Sequence, residues 1–177
     1  MDAKEVLKFW FDRDRKAWYQ KNPAFDEEIR ARFLPLHEQT LKGGLKSWQA
    51  EAASCLALVI VLDQFPRNMF RNSARAFAAD PLARDAARVI VERGWDRSMS
   101  VDERTFAYLP FEHSESPADQ ALSCELMKPL GEDPYRYAVR HKEIIDRFGR
   151  FPHRNAALGR ESTSEEIEFL KTPGSGF

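Results

Sequence analysis

Three short segments gather most of the residues able to do chemistry: Asp63-Gln-Phe-Pro-Arg-Asn-Met-Phe-Arg71, Arg104-Thr-Phe-Ala-Tyr-Leu-Pro-Phe-Glu-His-Ser-Glu115 and Arg147-Phe-Gly-Arg-Phe-Pro-His-Arg-Asn-Ala-Ala-Leu-Gly-Arg160. Their charges are opposed. From Arg147 to Arg160 there are four arginines and no acid, a formal charge of +4, while Glu112 to Asp133 holds six acids and one lysine, a charge of −5. Arg67, Arg71 and Arg75 form another basic group with no acid between them. Arginine is suited to gripping a carboxylate or phosphate, because its planar fork makes two parallel hydrogen bonds and stays charged. A buried guanidinium without a partner is strongly unfavourable, so each of these arginines needs an acid of this chain, an anionic ligand or water.

Two readings follow. In one, Arg67, Arg150 and Arg154 pair with Asp63, Glu112, Glu115 and Asp119 in a salt-bridge network that fixes how the loops pack. In the other, some guanidinium groups face a cleft and bind a small anion. The candidate ligand-binding residues are Asp63, Arg67, Asn68, Glu112, His113, Glu115, Arg150, His153, Arg154, Asn155 and Arg160. For acid–base chemistry the candidates are His113, Glu115 and His153, with Glu112 or Glu115 orienting His113.

Other chemistries lack their signatures. There is no HExxH, no cysteine pair and no close His-x-His spacing, so neither a metal nor a cofactor is expected. No Gly-x-Ser-x-Gly, Walker loop or Gly-x-Gly-x-x-Gly occurs, and Ser162 or Thr163 reads as a helix cap ahead of Glu165 and Glu166.

The elements that must position these residues read as helices. Asp2 caps a first helix carrying Val6, Phe9 and Trp10. Asn22-Pro23 opens another with Phe25, Ile29, Phe33 and Leu36 on one face, fading near Gly43-Gly44 and kinked or stopped early by Pro35. Ser47 caps a helix from Trp48 to about Asp63, apolar on every side from Cys55 to Leu62 and ended by Phe65-Pro66. Asp80-Pro81, Ser100-Val-Asp-Glu103, Ser116-Pro117, Asp133-Pro134 and Ser162-Thr163 open later helices, with Gly94 and Gly149 as stops. Phe9, Trp10, Phe11, Trp18 and Tyr19 fall at helical spacing and read mainly as core. Leu62-Asp-Gln-Phe-Pro-Arg-Asn68 and Phe148-Gly-Arg-Phe-Pro-His-Arg-Asn155 are similar, either a repeated helix-exit device or a coincidence. The result is an all-α domain of antiparallel neighbours spanning 1–177, with a loose tail over about 172–177 in which Phe177 could dock on the body.

Composition sets outer limits. With 177 residues the chain suits one domain, and 43% hydrophobic against 31% charged residues excludes a disordered chain. A net charge of −1 gives no general attraction to nucleic acid or anionic lipid. The longest apolar run, Cys55 to Leu62, is far short of the roughly 18 residues a membrane span needs. The N-terminus has no basic stretch followed by an apolar one, and Cys55 and Cys124 read as reduced, buried thiols. A soluble cytoplasmic protein is expected, with neither nucleic acid nor membrane as partner; oligomeric state is left open.

The sequence also resembles an uncharacterised bacterial family, domain of unknown function 924. The resemblance rests on Val6-Leu-Lys-Phe-Trp-Phe11, Leu62-Asp-Gln-Phe-Pro-Arg-Asn68, Tyr108-Leu-Pro-Phe-Glu-His-Ser-Glu115, Phe148-Gly-Arg-Phe-Pro-His-Arg-Asn155 and Leu158-Gly-Arg-Glu-Ser-Thr163, and runs nearly end to end. It implies stacked antiparallel helical hairpins, an α-α superhelix similar to tetratricopeptide repeats, and no established activity. Glu112 departs from the family pattern, which more often has methionine there, and the extra acid weakens a metal or base role for His113. The expected function is a helical-repeat-like protein with an arginine-rich site for a small anionic ligand, with enzymatic activity left open. The alternative is a binding module for an acidic peptide or protein, in which the Arg/His/Glu motifs form a structural network.

Overall fold

The computed structural model describes residues 2–176. Phe177, and with it any docking of that ring, lies outside them. All regular structure among the described residues is helical: α1 (Ala3–Phe11), α2 (Lys16–Tyr19), α3 (Pro23–Leu41), α4 (Ala52–Val59), α5 (Phe65–Met69), α6 (Asp80–Glu92), α7 (Val101–Glu112), α8 (Pro117–Met127), α9 (Glu132–Phe148) and α10 (Ser164–Leu170), with short single-turn helices between them. None of the described helices is long and apolar enough to cross a membrane. The chain divides into two compact units. One holds the residues as far as Arg71 together with Arg75–Pro110; the other holds Asn72–Ala74 and the chain from Phe111 onward.

Local signals set most helix ends. Asp2 and Glu5 form a reciprocal cap on α1, Asn22 accepts from the Ala24 and Phe25 N–H groups at the start of α3, Ser100 and Glu103 cap α7, and Thr163 and Glu166 cap α10. Gly149, at φ +70°, closes α9 by donating its N–H to the Ile145 carbonyl. α9 begins at Glu132, after Gly131, rather than at the anticipated Asp133-Pro134.

In the first unit α4 is buried on every side from Cys55 onward, and α1 and α6 pack against it. Phe9, Trp10, Phe25, Phe33, Phe65 and Phe106 pack on one another, with ring centroids as close as 4.5 Å for Phe33 and Phe65. Of the aromatic run expected in the core, Tyr19 is instead 71% exposed. Pro35 does not stop α3 short. It lies on the exposed face, where the carbonyl it leaves unpaired can reach water, while Phe33, Leu36, His37 and Thr40 anchor the other face.

The segment before α5 differs from its sequence reading. Lys46–Ala50 is a tight 3₁₀ turn, and the helix begins at Ala52. Phe65-Pro66 does not end it. Residues Ile60–Gln64 widen into a π-helical turn in which the Phe65 N–H reaches the Ile60 carbonyl, and α5 continues beyond. Widening relieves the clash a proline ring makes with the carbonyl four residues back. In that register the Val61 carbonyl would look to Pro66, which has no N–H. His37 fills the gap, with Nδ1 3.1 Å from the Val61 oxygen. Burial pushes the His37 pKa down, so the imidazole is neutral and carries its proton on Nδ1.

In the second unit α8 packs along α9. Ile144, Ile145 and Phe151 form the core there, with Phe148 and Phe169 against it. In the described part of the tail, Thr172 N–H and Oγ donate to the Phe169 carbonyl, Ser175 Oγ to the Leu170 carbonyl, and Arg140 Nη2 to the Gly174 carbonyl.

Candidate functional site

The candidate residues fall into one cluster in each unit. In the first, Arg67 sits one helical turn after Asp63. Its Nη1 donates to the Asp63 carbonyl at 2.8 Å and lies 3.2 Å from Asp63 Oδ1. The same fork grips Asp80 through Nη1 at 2.9 Å and Nη2 at 3.1 Å. Burial opposes the Arg67 charge, but Asp63 and Asp80 outweigh it and raise its pKa. Asn68 Nδ2 and the Arg71 fork converge on Asp26, whose carboxyl, despite its own burial, is held below its ordinary pKa by them.

In the second unit the segment after α9 is bound by paired charges. Arg150 holds Glu166 through Nε at 2.6 Å and Nη2 at 2.8 Å, and also donates to the Glu161 carbonyl. Glu166 further accepts from the Thr163 N–H and Asn155 Nδ2, and the Arg150 hydrogen bonds lead in pushing its pKa down to about 2. Arg160 grips Glu115 through Nη1 at 2.8 Å and Nη2 at 2.9 Å, while its Nε goes to Asn155 and Nη2 also to the Phe151 carbonyl. Glu115 accepts the Phe151 N–H as well, so its pKa falls although burial alone would raise it. These pairs fix the loop carrying Phe151, His153 and Arg154.

The end of α7 is held from the other side. Gln120 Nε2 donates to the Glu112 and Ser114 carbonyls at 2.6 and 2.7 Å, capping groups that the helix end leaves without donors. Ser114 Oγ donates to Asp119 at 2.7 Å. Glu112 then lies beside His141 of α9: its Oε1 is 3.2 Å from His141 Nδ1, which also lies 2.8 Å from the Tyr137 carbonyl oxygen. Two acceptors at Nδ1 place the proton there and leave Nε2 with its lone pair. Burial, followed by the charge of His113, pushes the His141 pKa down to about 3, and Arg154 and His153 act in the same direction.

The centre of this cluster is the buried Phe151 ring. His141 meets it edge-on at 5.6 Å, His153 lies 5.7 Å away, and the Arg154 guanidinium stacks over it at 4.5 Å. Arg154 Nη2 donates to the His113 carbonyl at 2.9 Å, and the His113 and His141 rings are 6.1 Å apart. His113 and His153 are half-buried; Arg154 is 6% exposed. Gln120 Oε1 and Ser123 Oγ are buried without a hydrogen-bond partner. Among the described residues, no three His, Cys, Asp or Glu side chains gather as a metal-ligand set.

Glu112, His113, Glu115, Arg150, His153, Arg154, Asn155 and Arg160 thus belong to the second unit, and Asp63, Arg67 and Asn68 to the first. The anticipated pairings need correction. Arg150 takes Glu166 and Arg160 takes Glu115, while Arg67 adds Asp80 to the expected Asp63. Asp80 had read only as a helix-opening residue and Glu166 only as following a capping Ser162 or Thr163; Asp80 does open α6, Glu166 completes the α10 cap, and each also binds an arginine distant in sequence. His141 carried a weak signal, a histidine on the face that buries Ala138, Ile144 and Ile145.

A family model described as a bacterial protein of unknown function (DUF924) matches residues 6–174. Among solved structures, a protein of unknown function from Agrobacterium tumefaciens is 44% identical, with a TM-score of 0.93 over 96% of this chain and 96% of that one. None of the curated proteins matches this chain.

Proposed function

The chain belongs to the DUF924 family of bacterial proteins of unknown function, and from the geometry of its second unit we propose that it binds a small anionic ligand at His113, His153 and Arg154. The observation that carries this reading is the gathering of His141, His153 and the Arg154 guanidinium around one apolar ring, Phe151, with the His113 ring 6.1 Å from that of His141 and its carbonyl on Arg154. Burial keeps His141 neutral beside Glu112, and the charges of His113, Arg154 and His153 act in the same direction as burial. The field of those charges lowers the free energy of an anion brought among them. Arg150 and Arg160 act in this account as scaffold, because their forks are committed to Glu166 and Glu115.

Thermal unfolding of the full chain tests the reading, with inorganic phosphate, phosphate monoesters, and mono- and dicarboxylates as ligands. At a hundredfold excess over Kd a bound anion stabilises by about 2.7 kcal/mol, a rise of about 5–11 °C for a chain of this size. Arg154→Met is expected to abolish the rise. If no anion stabilises the protein, or the variant responds as the parent does, the proposal fails.

A further inference from the structure

Beyond α10 the chain reverses toward α9. Thr172 turns it at the Phe169 carbonyl, the Ser175 N–H closes on the Thr172 carbonyl at 3.3 Å, and Ser175 Oγ reaches the Leu170 carbonyl at 3.1 Å. Arg140 Nη2, on α9, then donates to the Gly174 carbonyl at 3.2 Å, the long end of the usual range. Gly174 takes φ +77°, and a Cβ there would collide with the same guanidinium, so the turn as it stands requires glycine. Two residues on, a Cβ at Gly176 would lie 3.5 Å from His153 Cβ and 3.8 Å from its Cγ. The tail backbone thus packs against the root of that imidazole.

This segment therefore joins α9 to His153, one of the three groups placed at the anion site. Thr172, Pro173, Gly174 and Gly176 are exposed and Ser175 is half-buried. A segment that buries so little surface opens locally at far less cost than unfolding the body beneath it. Arg154 has different supports, the His113 carbonyl and the Phe151 ring. Opening the tail would loosen His153 and leave Arg154 where it is.

We propose that residues 172–176 form a strap that regulates the anion site. Closed, it holds His153 beside Phe151 for the ligand; open, it releases His153 and weakens binding. This rests on the reading of His113, His153 and Arg154 as an anion site and adds how that site is controlled.

Two variants open the strap without altering any of those three residues. One is Gly174→Val, because a β-branched residue is an outlier at such a φ. The other is a chain ended after Lys171. In NMR spectra without ligand, both are expected to shift the His153 ring resonances more than those of His113 and His141, and to leave His37 unmoved. In titrations with inorganic phosphate, both should bind about two- to tenfold more weakly than the parent, the effect of having to immobilise one more side chain on binding. The strap is overturned if the His153 resonances stay in place in both variants, or if both bind phosphate as tightly as the parent or more so. A parent chain that binds no phosphate would instead overturn the anion site itself, and the strap's regulatory role with it.

Discussion

Replacing Arg67 with methionine keeps the length and apolar stem of the side chain and removes its charge. Asp63 is fully buried and Asp80 is 6% exposed, and the Arg67 fork lies within 3.2 Å of both carboxylates. Without it, two carboxylates share a poorly hydrated site. Breaking such a buried pair costs about 3–5 kcal/mol. At about 2–4 °C per kcal/mol, the melting temperature near neutral pH should fall by about 6–20 °C, measured by circular dichroism on the full chain. The pH dependence supplies a second constraint. In the variant the two carboxylates repel each other, so their folded-state pKa values rise above the unfolded ones. Stability tied to a raised pKa is present at low pH and lost as pH rises, so the deficit should be largest near neutrality and should shrink toward about pH 4. Adding Asp80→Asn should recover part of the loss. A deficit below about 1 kcal/mol, the size of a solvated surface pair, would refute the reasoning, as would a deficit of equal size at both pH values.

Glu166, whose pKa is lowered to about 2, contributes stability that is present above its unfolded pKa and disappears as pH falls toward 2. Glu166→Gln should therefore flatten the dependence of the urea midpoint on pH across that acid window, and an unchanged slope would count against the Arg150 pairing. Burial pushes the Cys55 thiol up to about 11 and raises Cys124 less, and both are free. A disulfide reagent near neutral pH should label half-buried Cys124 slowly and reach Cys55 only on unfolding; two thiols reacting as fast as free cysteine would contradict this. Thr163→Ala should cost about 1 kcal/mol through loss of the α10 cap, and Thr163→Ser should restore it.

Features encoded within a few residues were legible in the sequence. Asp2 with Glu5, Asn22 before Pro23, Ser100 with Glu103, and Thr163 with Glu166 each complete a cap within one turn, and all four form. Phe65-Pro66 misled because its local signal is truly helix-breaking. The helix survives through a π turn and a histidine donated by α3, neither of which is visible locally. The arginine motifs marked the right regions but not the pairings. Arg160 finds Glu115 at a separation of 45 residues and Arg150 finds Glu166 at 16, so those distances are settled by tertiary packing rather than by neighbouring charge. His141, about two turns before Arg147, was noticed but not placed among the site residues for the opposite reason: a histidine on an apolar helix face looks like any buried histidine until Glu112 and Phe151 are seen beside it.

The central claim is that His113, His153 and Arg154 together receive an anion, and the histidine ring resonances of the full chain report on it most directly. On titration with inorganic phosphate, the account predicts saturable shifts at His113 and His153. His37, which lies in the first unit on the Val61 carbonyl, should stay unmoved. The same titration of Arg154→Met should leave all these rings unshifted. Rings of His113 and His153 that ignore phosphate in the parent protein, or that shift equally in the variant, would contradict the account.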